Sequence, residues 1–226
     1  MTRNANARLA GFAYLFYIAV AFPAMVLYNR ATRGADIAAK LASMAQHVAD
    51  VRLSVVLTFF SGLCALTLAV TLFALTRDQD RDLAMLGLTC RVTEGILGAT
   101  SIPANLALLW IATATGSGAP EPAGARAVGA FVLHQDAVPP AAFFAVGSTL
   151  FSWLLLRGRM IPVALGWLGV VGSALIAIVL ALQLAGLARG TFWQLMWLPI
   201  AVFEISVAIW WLVKGDTTPI SAIRPS

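Results

Sequence analysis

Apolar residues fall in six long segments along the chain, and shorter polar stretches separate them. A helix needs roughly 18 consecutive apolar residues to cross a bilayer, and each segment reaches that length. Such a segment has to satisfy its own backbone hydrogen bonds, because lipid offers neither donors nor acceptors. We therefore predict six transmembrane helices, at residues 9–28, 53–76, 83–111, 137–156, 160–188 and 191–213.

Two stretches between these segments are also expected to be helical. Residues 36–50 have apolar side chains at intervals of three and four, namely Ile37, Leu41, Met44 and Val48. This period is typical of an amphipathic helix that lies on the outer surface of the membrane or caps the helix bundle. A second short helix is predicted at residues 125–133, and we expect Pro139 and Pro140 to stop it.

The composition supports lipid as the solvent for most of the protein. Of the 226 residues, 60% are hydrophobic and 11% are charged, and the mean hydropathy is +0.87. Soluble domains carry about a quarter charged residues. No polar stretch is long enough to fold separately, so we predict one all-α integral membrane domain covering residues 1–226.

The basic residues bear on orientation and on partners. With the amino terminus inside, eight of the 15 Lys and Arg residues fall on the cytoplasmic side and six outside, with Arg91 left out as intramembrane. This bias predicts that both termini are cytoplasmic. The net charge of +5 is scattered over the ends of apolar segments, so we expect membrane lipids as partners and no nucleic acid.

The first segment has a competing interpretation as a cleaved signal peptide. Arg3 and Arg8 precede an apolar run that contains Ala19-Val20-Ala21, a sequence similar to a signal-peptidase site. The run continues to Tyr28, beyond the usual length of a signal-peptide core, so we favour a retained helix.

Three ionisable residues lie inside the apolar segments. At 1.5 Å per residue from the inner ends, Arg91 lies about 12 Å deep, Glu94 about 16 Å and Glu204 about 14 Å. Arg91 and Glu94 are three residues apart and share a helix face. Three groups of similar depth could add hydrogen bonds: Tyr17, Thr67 and Ser148. We predict a mid-membrane site for a proton, a cation or a small amphipathic ligand.

The cost of burying these charges limits how the third segment can behave. Each charge costs roughly 2.5–3.5 kcal/mol at the membrane centre, so Arg91 and Glu94 together cost about 5–7 kcal/mol. We expect this segment to depend on helix partners, above all on the sixth. One Arg between two Glu residues leaves an excess negative charge for a proton, water or a cation to balance. A purely structural cluster that fixes helix register is the alternative.

A second polar group is expected near the outer surface, with His134, Asp136 and Arg52 as secondary candidates. Such residues are typical of the headgroup level, and a pH-sensitive or ligand-gating role for His134 is the alternative. The chain lacks the spacing of a zinc site and the Gly-rich phosphate motifs. We therefore predict no metal and no cofactor.

Four short motifs are spread along the chain: Ala7-Arg8-Leu9-Ala10-Gly11 with Tyr14, Arg91-x-x-Glu94, Pro162 before Leu165-Gly166, and Glu204 before Trp211-Leu212-Val213-Lys214-Gly215. Together they resemble one bacterial family of multi-pass membrane proteins, catalogued as domain of unknown function 4386. The resemblance covers nearly the whole chain, although Val163 stands where the family pattern implies a basic residue. It implies a six-helix protein of the bacterial inner membrane and no particular reaction.

Two classes of function remain beside the leading hypothesis of a transporter or sensor. An intramembrane enzyme would use Glu94 or Glu204 as an acid or base on a lipid-like substrate, but it would need more convergent polar groups. A regulatory or scaffold protein would use the charges only to fix its fold. The two halves of the chain show no convincing internal symmetry, which weighs against a transporter. The sequence favours no particular oligomeric state and no identifiable catalytic residue.

Overall fold

The computed structural model describes residues 2–134, 138–187 and 195–215, and every regular element within these ranges is helical. A short 3₁₀ turn lies at Gly116–Gly118. The α-helices are α1 (Arg3–Ala31), α2 (Ile37–Gln46), α3 (Val48–Thr76), α4 (Arg81–Ala99), α5 (Ser101–Thr113), α6 (Pro122–Leu133), α7 (Val138–Arg157), α8 (Val163–Leu184) and α9 (Trp197–Lys214).

Six stretches of helix are long and apolar enough to cross a membrane. Helices α1, α3, α8 and α9 each form one span, α4 and α5 together form the third, and α6 and α7 lie within the fourth. The predicted all-α fold with six transmembrane helices is therefore confirmed. The cytoplasmic location of the termini stays a prediction.

The third span is not the single helix predicted at residues 83–111. It is divided into α4 and α5 at Thr100. Pro103 explains the division, because proline has no N–H for the carbonyl one turn earlier and its ring crowds that carbonyl. The Thr100 hydroxyl donates to the Leu97 carbonyl oxygen at 2.6 Å, which satisfies one acceptor at the break.

The amphipathic segment predicted at residues 36–50 is shorter in the structure. Asp36 begins α2, since its carboxylate accepts a hydrogen bond from a backbone N–H of the first turn. Met44 on the apolar face is fully buried. The helix ends at its cap residue His47, and α3 begins directly afterwards, so residues 48–50 belong to the next span.

The prolines expected to end the short outer helix instead begin the following one. Pro139 and Pro140 lie in the first turn of α7, and Pro122 is the first residue of α6. Proline fits these positions because the first N–H groups of a helix have no partner within it.

The remaining bounds differ by a few residues at each end. The first predicted helix, at 9–28, extends to Arg3–Ala31, and the fifth, at 160–188, is shortened to Val163–Leu184. For the sixth, predicted at 191–213, α9 covers Trp197–Lys214, and residues 191–194 lie outside the described ranges.

The chain divides into two compact units. The first unit contains Met1–Tyr17, Leu63–Gly95 and Val138–Ser226, and its core is built from large apolar side chains that include Leu72, Phe151 and Trp211.

The second unit contains Ile18–Gly62 and Ile96–Ala137. Helix α2 packs on α5 and α6 there, with Leu41 and Met44 meeting Leu108 and Leu109 in a small core.

Within the first unit, glycines on α8 let it approach its neighbours closely. A Cβ at Gly169 would lie 2.6 Å from Ser152 Oγ on α7 and 2.6 Å from the Phe203 ring on α9. Both of these side chains are almost completely buried, so neither can move aside freely. Small residues at such contacts are the usual means by which membrane helices pack.

We predict that Gly169→Ala lowers the thermal unfolding temperature of the detergent-purified protein. Forcing a methyl group into a filled site costs about 1–3 kcal/mol. Gly98→Ala in α4 is the matched control, because nothing lies within 4 Å of a Cβ at that position. Equal melting of the two variants would contradict the packing described for α8.

Candidate functional site

Helix α4 places Arg91 and Glu94 on its buried face. The helix begins where the Asp80 carboxylate accepts a hydrogen bond from the Leu83 N–H at 3.1 Å. Its buried residues follow the helical spacing of three and four, namely Ala84, Gly87, Cys90, Arg91, Glu94 and Gly95. Both charged side chains therefore point into the protein and away from lipid.

Arg91 is 1% exposed and lies between an acid and an aromatic ring. Its Nη1 is 2.9 Å from Glu94 Oε2, and its Cζ is 4.8 Å from the centre of the Phe144 ring on α7. A guanidinium over an aromatic face is attracted by the negative charge of the ring surface, more strongly when water is excluded. Helices α4 and α7 thus stabilise the same cation.

Close approach of α7 to Arg91 depends on a glycine. A Cβ at Gly147 would lie 3.1 Å from both Arg91 Cγ and Cys90 Cβ. Ser148, the next residue of α7, is also buried. A larger residue at 147 would push α7 away from the stem of Arg91.

Helix α1 contributes two tyrosines, one turn apart. The Tyr17 hydroxyl donates to Glu94 Oε1 across 3.4 Å. Tyr14 is 3% exposed and stacks on Trp211 of α9, with ring centres 6.4 Å apart. Both tyrosines interact electrostatically with Arg91, so their hydroxyl groups belong to the same cluster.

Glu204 reaches this cluster from α9. It is 5% exposed and interacts electrostatically with Arg91 and Glu94. Gly11 of α1 supports this arrangement, because a Cβ there would lie 2.8 Å from the Ala208 carbonyl oxygen, one turn further along α9. The structure thus brings together the three residues that depth singled out in the sequence. Arg91 and Glu94 come from α4 and Glu204 from α9, while α1 adds the two tyrosines.

The cluster holds more polar atoms than its internal contacts satisfy. Within the described residues, Arg91 Nε, Nη1 and Nη2, Glu94 Oε2 and Glu204 Oε1 are buried and make no hydrogen bond. The contact between Arg91 and Glu94 is close, but it lacks hydrogen-bond geometry. The described part of the chain also gives Glu204 no ion pair. Because buried polar groups normally have partners, these atoms are the part of the cluster with unused capacity to bind a proton or a small polar ligand.

Similar depth alone did not identify every member of the cluster correctly. Thr67 donates its hydroxyl to the Leu63 carbonyl oxygen of its own helix at 2.9 Å and is not part of the cluster. Sequence reasoning named Tyr14 only as part of a family motif and did not place it in the cluster, although it lies three residues before Tyr17 on the same helix face. It also missed Phe144 and Gly147, which carry no charge. Their spacing of three indicates only that they share a face of α7.

The outer candidates are not brought together as one site. His134 ends α6, where its Nδ1 lies 2.8 Å from the Ala130 carbonyl oxygen, and it makes no hydrogen bond or ion pair with Arg52 in the described residues. Asp136 lies outside the described ranges. No group of three His, Cys, Asp or Glu side chains within those ranges is placed to hold a metal ion.

One comparison with known proteins identifies a relationship. The family model described as Domain of unknown function (DUF4386) matches residues 9–215. No curated protein and no solved structure matches the chain. The matched range includes Arg91, Glu94 and Glu204 together with the helices that carry them.

We predict that Arg91→Gln strongly destabilises the protein, because it leaves two acids in the core without their cation. Removing one partner of a buried ion pair costs about 3–5 kcal/mol. The double variant Arg91→Gln with Glu94→Gln should recover part of this loss, because it removes an unpaired charge. Thermal unfolding in detergent measures both effects.

The matched control is Arg126→Gln on α6. Arg126 is exposed and its Nε donates only to a backbone carbonyl of its own helix, so the same substitution should have little effect. A double variant that is as unstable as the sum of the two single losses would contradict the coupling of Arg91 and Glu94.

Proposed function

The chain belongs to the family described as Domain of unknown function (DUF4386), and we propose that this six-helix membrane protein binds one positive charge at Glu204 as a transporter or sensor. The bound species is a proton or a small monovalent cation. The observation that carries the proposal is a buried carboxyl group whose Oε1 makes no hydrogen bond within the described residues, in a cluster whose one arginine already contacts another acid.

The charge balance of the cluster supports Glu204 as the binding group. Arg91 is within 2.9 Å of Glu94, and Tyr17 donates a hydrogen bond to the same acid. Glu204 has neither contact in the described residues. An uncompensated carboxylate is costly in a medium of low dielectric, and one proton or monovalent cation makes the cluster neutral.

The groups near Glu204 define its chemistry. Arg91 and Glu94 on α4, and Tyr14 and Tyr17 on α1, are close enough to Glu204 to interact with it electrostatically. The positive charge of Arg91 disfavours binding of more than one further cation. The phenol oxygens of the two tyrosines can act as additional ligands for that single cation. A site with this composition takes up and releases a single charge.

Burial narrows the range of ligands that the sequence left open. Arg91, Glu94 and Glu204 are between 1% and 7% exposed, so a bulky amphipathic molecule would have to displace a helix to reach them. The same burial argues against an enzyme acting on a lipid-like substrate, which needs access to the reacting carboxyl group. A proton or a dehydrated ion needs neither displacement nor a large opening.

We predict that infrared difference spectra of the purified protein contain a carboxylic-acid C=O band that changes when pH or the concentration of Na⁺ or K⁺ is changed. Glu204→Gln should remove this band. In liposomes, a transporter should carry the same ion across the membrane, and Glu204→Gln should abolish the flux. Charge-dependent spectra without flux would indicate a sensor.

Glu121→Gln provides the matched control, because it is the same substitution at an exposed position directly before α6. The band should persist in this variant. If no carboxyl band responds to pH or cations, and Glu94→Gln and Glu204→Gln only lower the melting temperature, the cluster is structural and the proposal is wrong.

We further propose that the protein lies in the bacterial inner membrane with both termini in the cytoplasm, which the excess of basic residues on that side supports. A reporter that is active only in the cytoplasm, fused after Lys214, should then be active. Activity of a reporter that works only outside the cytoplasm at the same position would overturn this topology.

A further inference from the structure

The second unit has a cleft on its surface between α3 and α5. Its volume is about 440 Å³. Most of its wall is apolar and comes from Val55, Val56, Leu106 and Leu109, with Trp110 beside them. Val56, Leu106 and Trp110 are about half exposed, so the cleft opens to the outside of the helices, where lipid lies.

The polar groups of the cleft are at one end. Arg52 lies about 6 Å along the axis from the start of α3, and Trp110 about 4.5 Å from the end of α5, at 1.5 Å per residue. The chain crosses the membrane in α3 and returns through α4 and α5, so these two helix ends lie on the same side. Arg and Trp near span ends are typical of the headgroup level.

Arg52 has no competing partner within the described residues. It makes no hydrogen bond and no ion pair there, and its side chain is exposed. Asp50, two residues earlier, lies 3.6 Å from Arg30 instead. The cation at the mouth of the cleft is therefore available to an anion.

We propose that this cleft binds one anionic phospholipid. The headgroup phosphate accepts hydrogen bonds from the Arg52 guanidinium, and an acyl chain lies along the valines and leucines of α3 and α5. Trp110 packs against the lipid at the boundary between its polar and apolar parts. Guanidinium groups suit phosphate because several N–H donors lie in one plane.

The shape and chemistry favour a lipid over other anions. A free phosphate would use only the charged end and leave the apolar wall uncovered. The volume of this cleft, about 440 Å³, falls in the range of small-molecule sites, roughly 300–1,000 Å³. A ligand that is charged at one end and apolar along its length matches both the Arg52 end and the apolar wall of the cleft.

The test is lipid binding by native mass spectrometry of the full chain in detergent, with phosphatidylglycerol and phosphatidylcholine as probes. We expect tighter binding of phosphatidylglycerol, and Arg52→Gln should weaken it about tenfold, the equivalent of about 1.4 kcal/mol. Arg33→Gln is the matched control, because Arg33 is exposed between α1 and α2 and lies outside the cleft. It should change the affinity less than about twofold, well under the same 1.4 kcal/mol.

A second variant tests the apolar part without changing charge. Val56→Trp fills the cleft and should weaken phosphatidylglycerol binding as strongly as Arg52→Gln, while glycerol phosphate, which lacks acyl chains, should not compete. The proposal is overturned if Arg52→Gln and Arg33→Gln bind the lipid equally, if phosphatidylcholine binds as tightly, or if glycerol phosphate competes as well as the lipid.

Discussion

A guanidinium group buried in a membrane bundle has to be surrounded by charge of the opposite sign and by groups that exclude water. Arg91 imposes this requirement on the first unit, because it is 1% exposed and carries its charge at every physiological pH. Glu94 on the same helix and Glu204 on α9 supply the opposite charge, and the Phe144 ring on α7 covers the guanidinium. The packing partners of α4 are therefore fixed by electrostatics as much as by apolar area, which lipid would cover equally well.

Small residues make that arrangement sterically possible. A helix backbone approaches a buried side chain closely only where it lacks a large side chain of its own, and Gly147 meets this condition beside the stem of Arg91. Gly11 does the same where α1 meets α9 near Ala208, and Gly169 does so between Ser152 and Phe203. The glycines and the charges thus act together. Ion pairing in the core requires the helices to lie close to one another, and they can do so only where a residue has no side chain.

The parts of this structure that follow from local rules could be predicted from the sequence. Segment length gave the six spans, and a spacing of three placed Arg91 and Glu94 on one face. Pro103 shows the limit of segment length alone, because a single missing N–H divides a continuous apolar run into α4 and α5. Contacts between distant segments are set by the relative rotation of helices, which depth does not determine. For this reason Thr67, at the predicted depth, bonds only within its own helix in the described residues, whereas Phe144 and Gly147, which carry no charge, lie against Arg91.

Arg91 and Arg52 show how the environment of one side-chain type decides its chemistry. Arg91 is enclosed by protein, so fixed acids balance its charge. The excess negative charge is assigned to Glu204, where we propose that a proton or a small ion binds. Arg52 lies at an open apolar cleft near a helix end, where the proposed partner of its charge is an anionic phospholipid. The first environment favours exchange of a single charge, and the second favours capture of a large amphiphile. A neutral substitution should therefore affect stability first at residue 91 and lipid affinity first at residue 52, because only the former leaves a charged partner stranded in low dielectric.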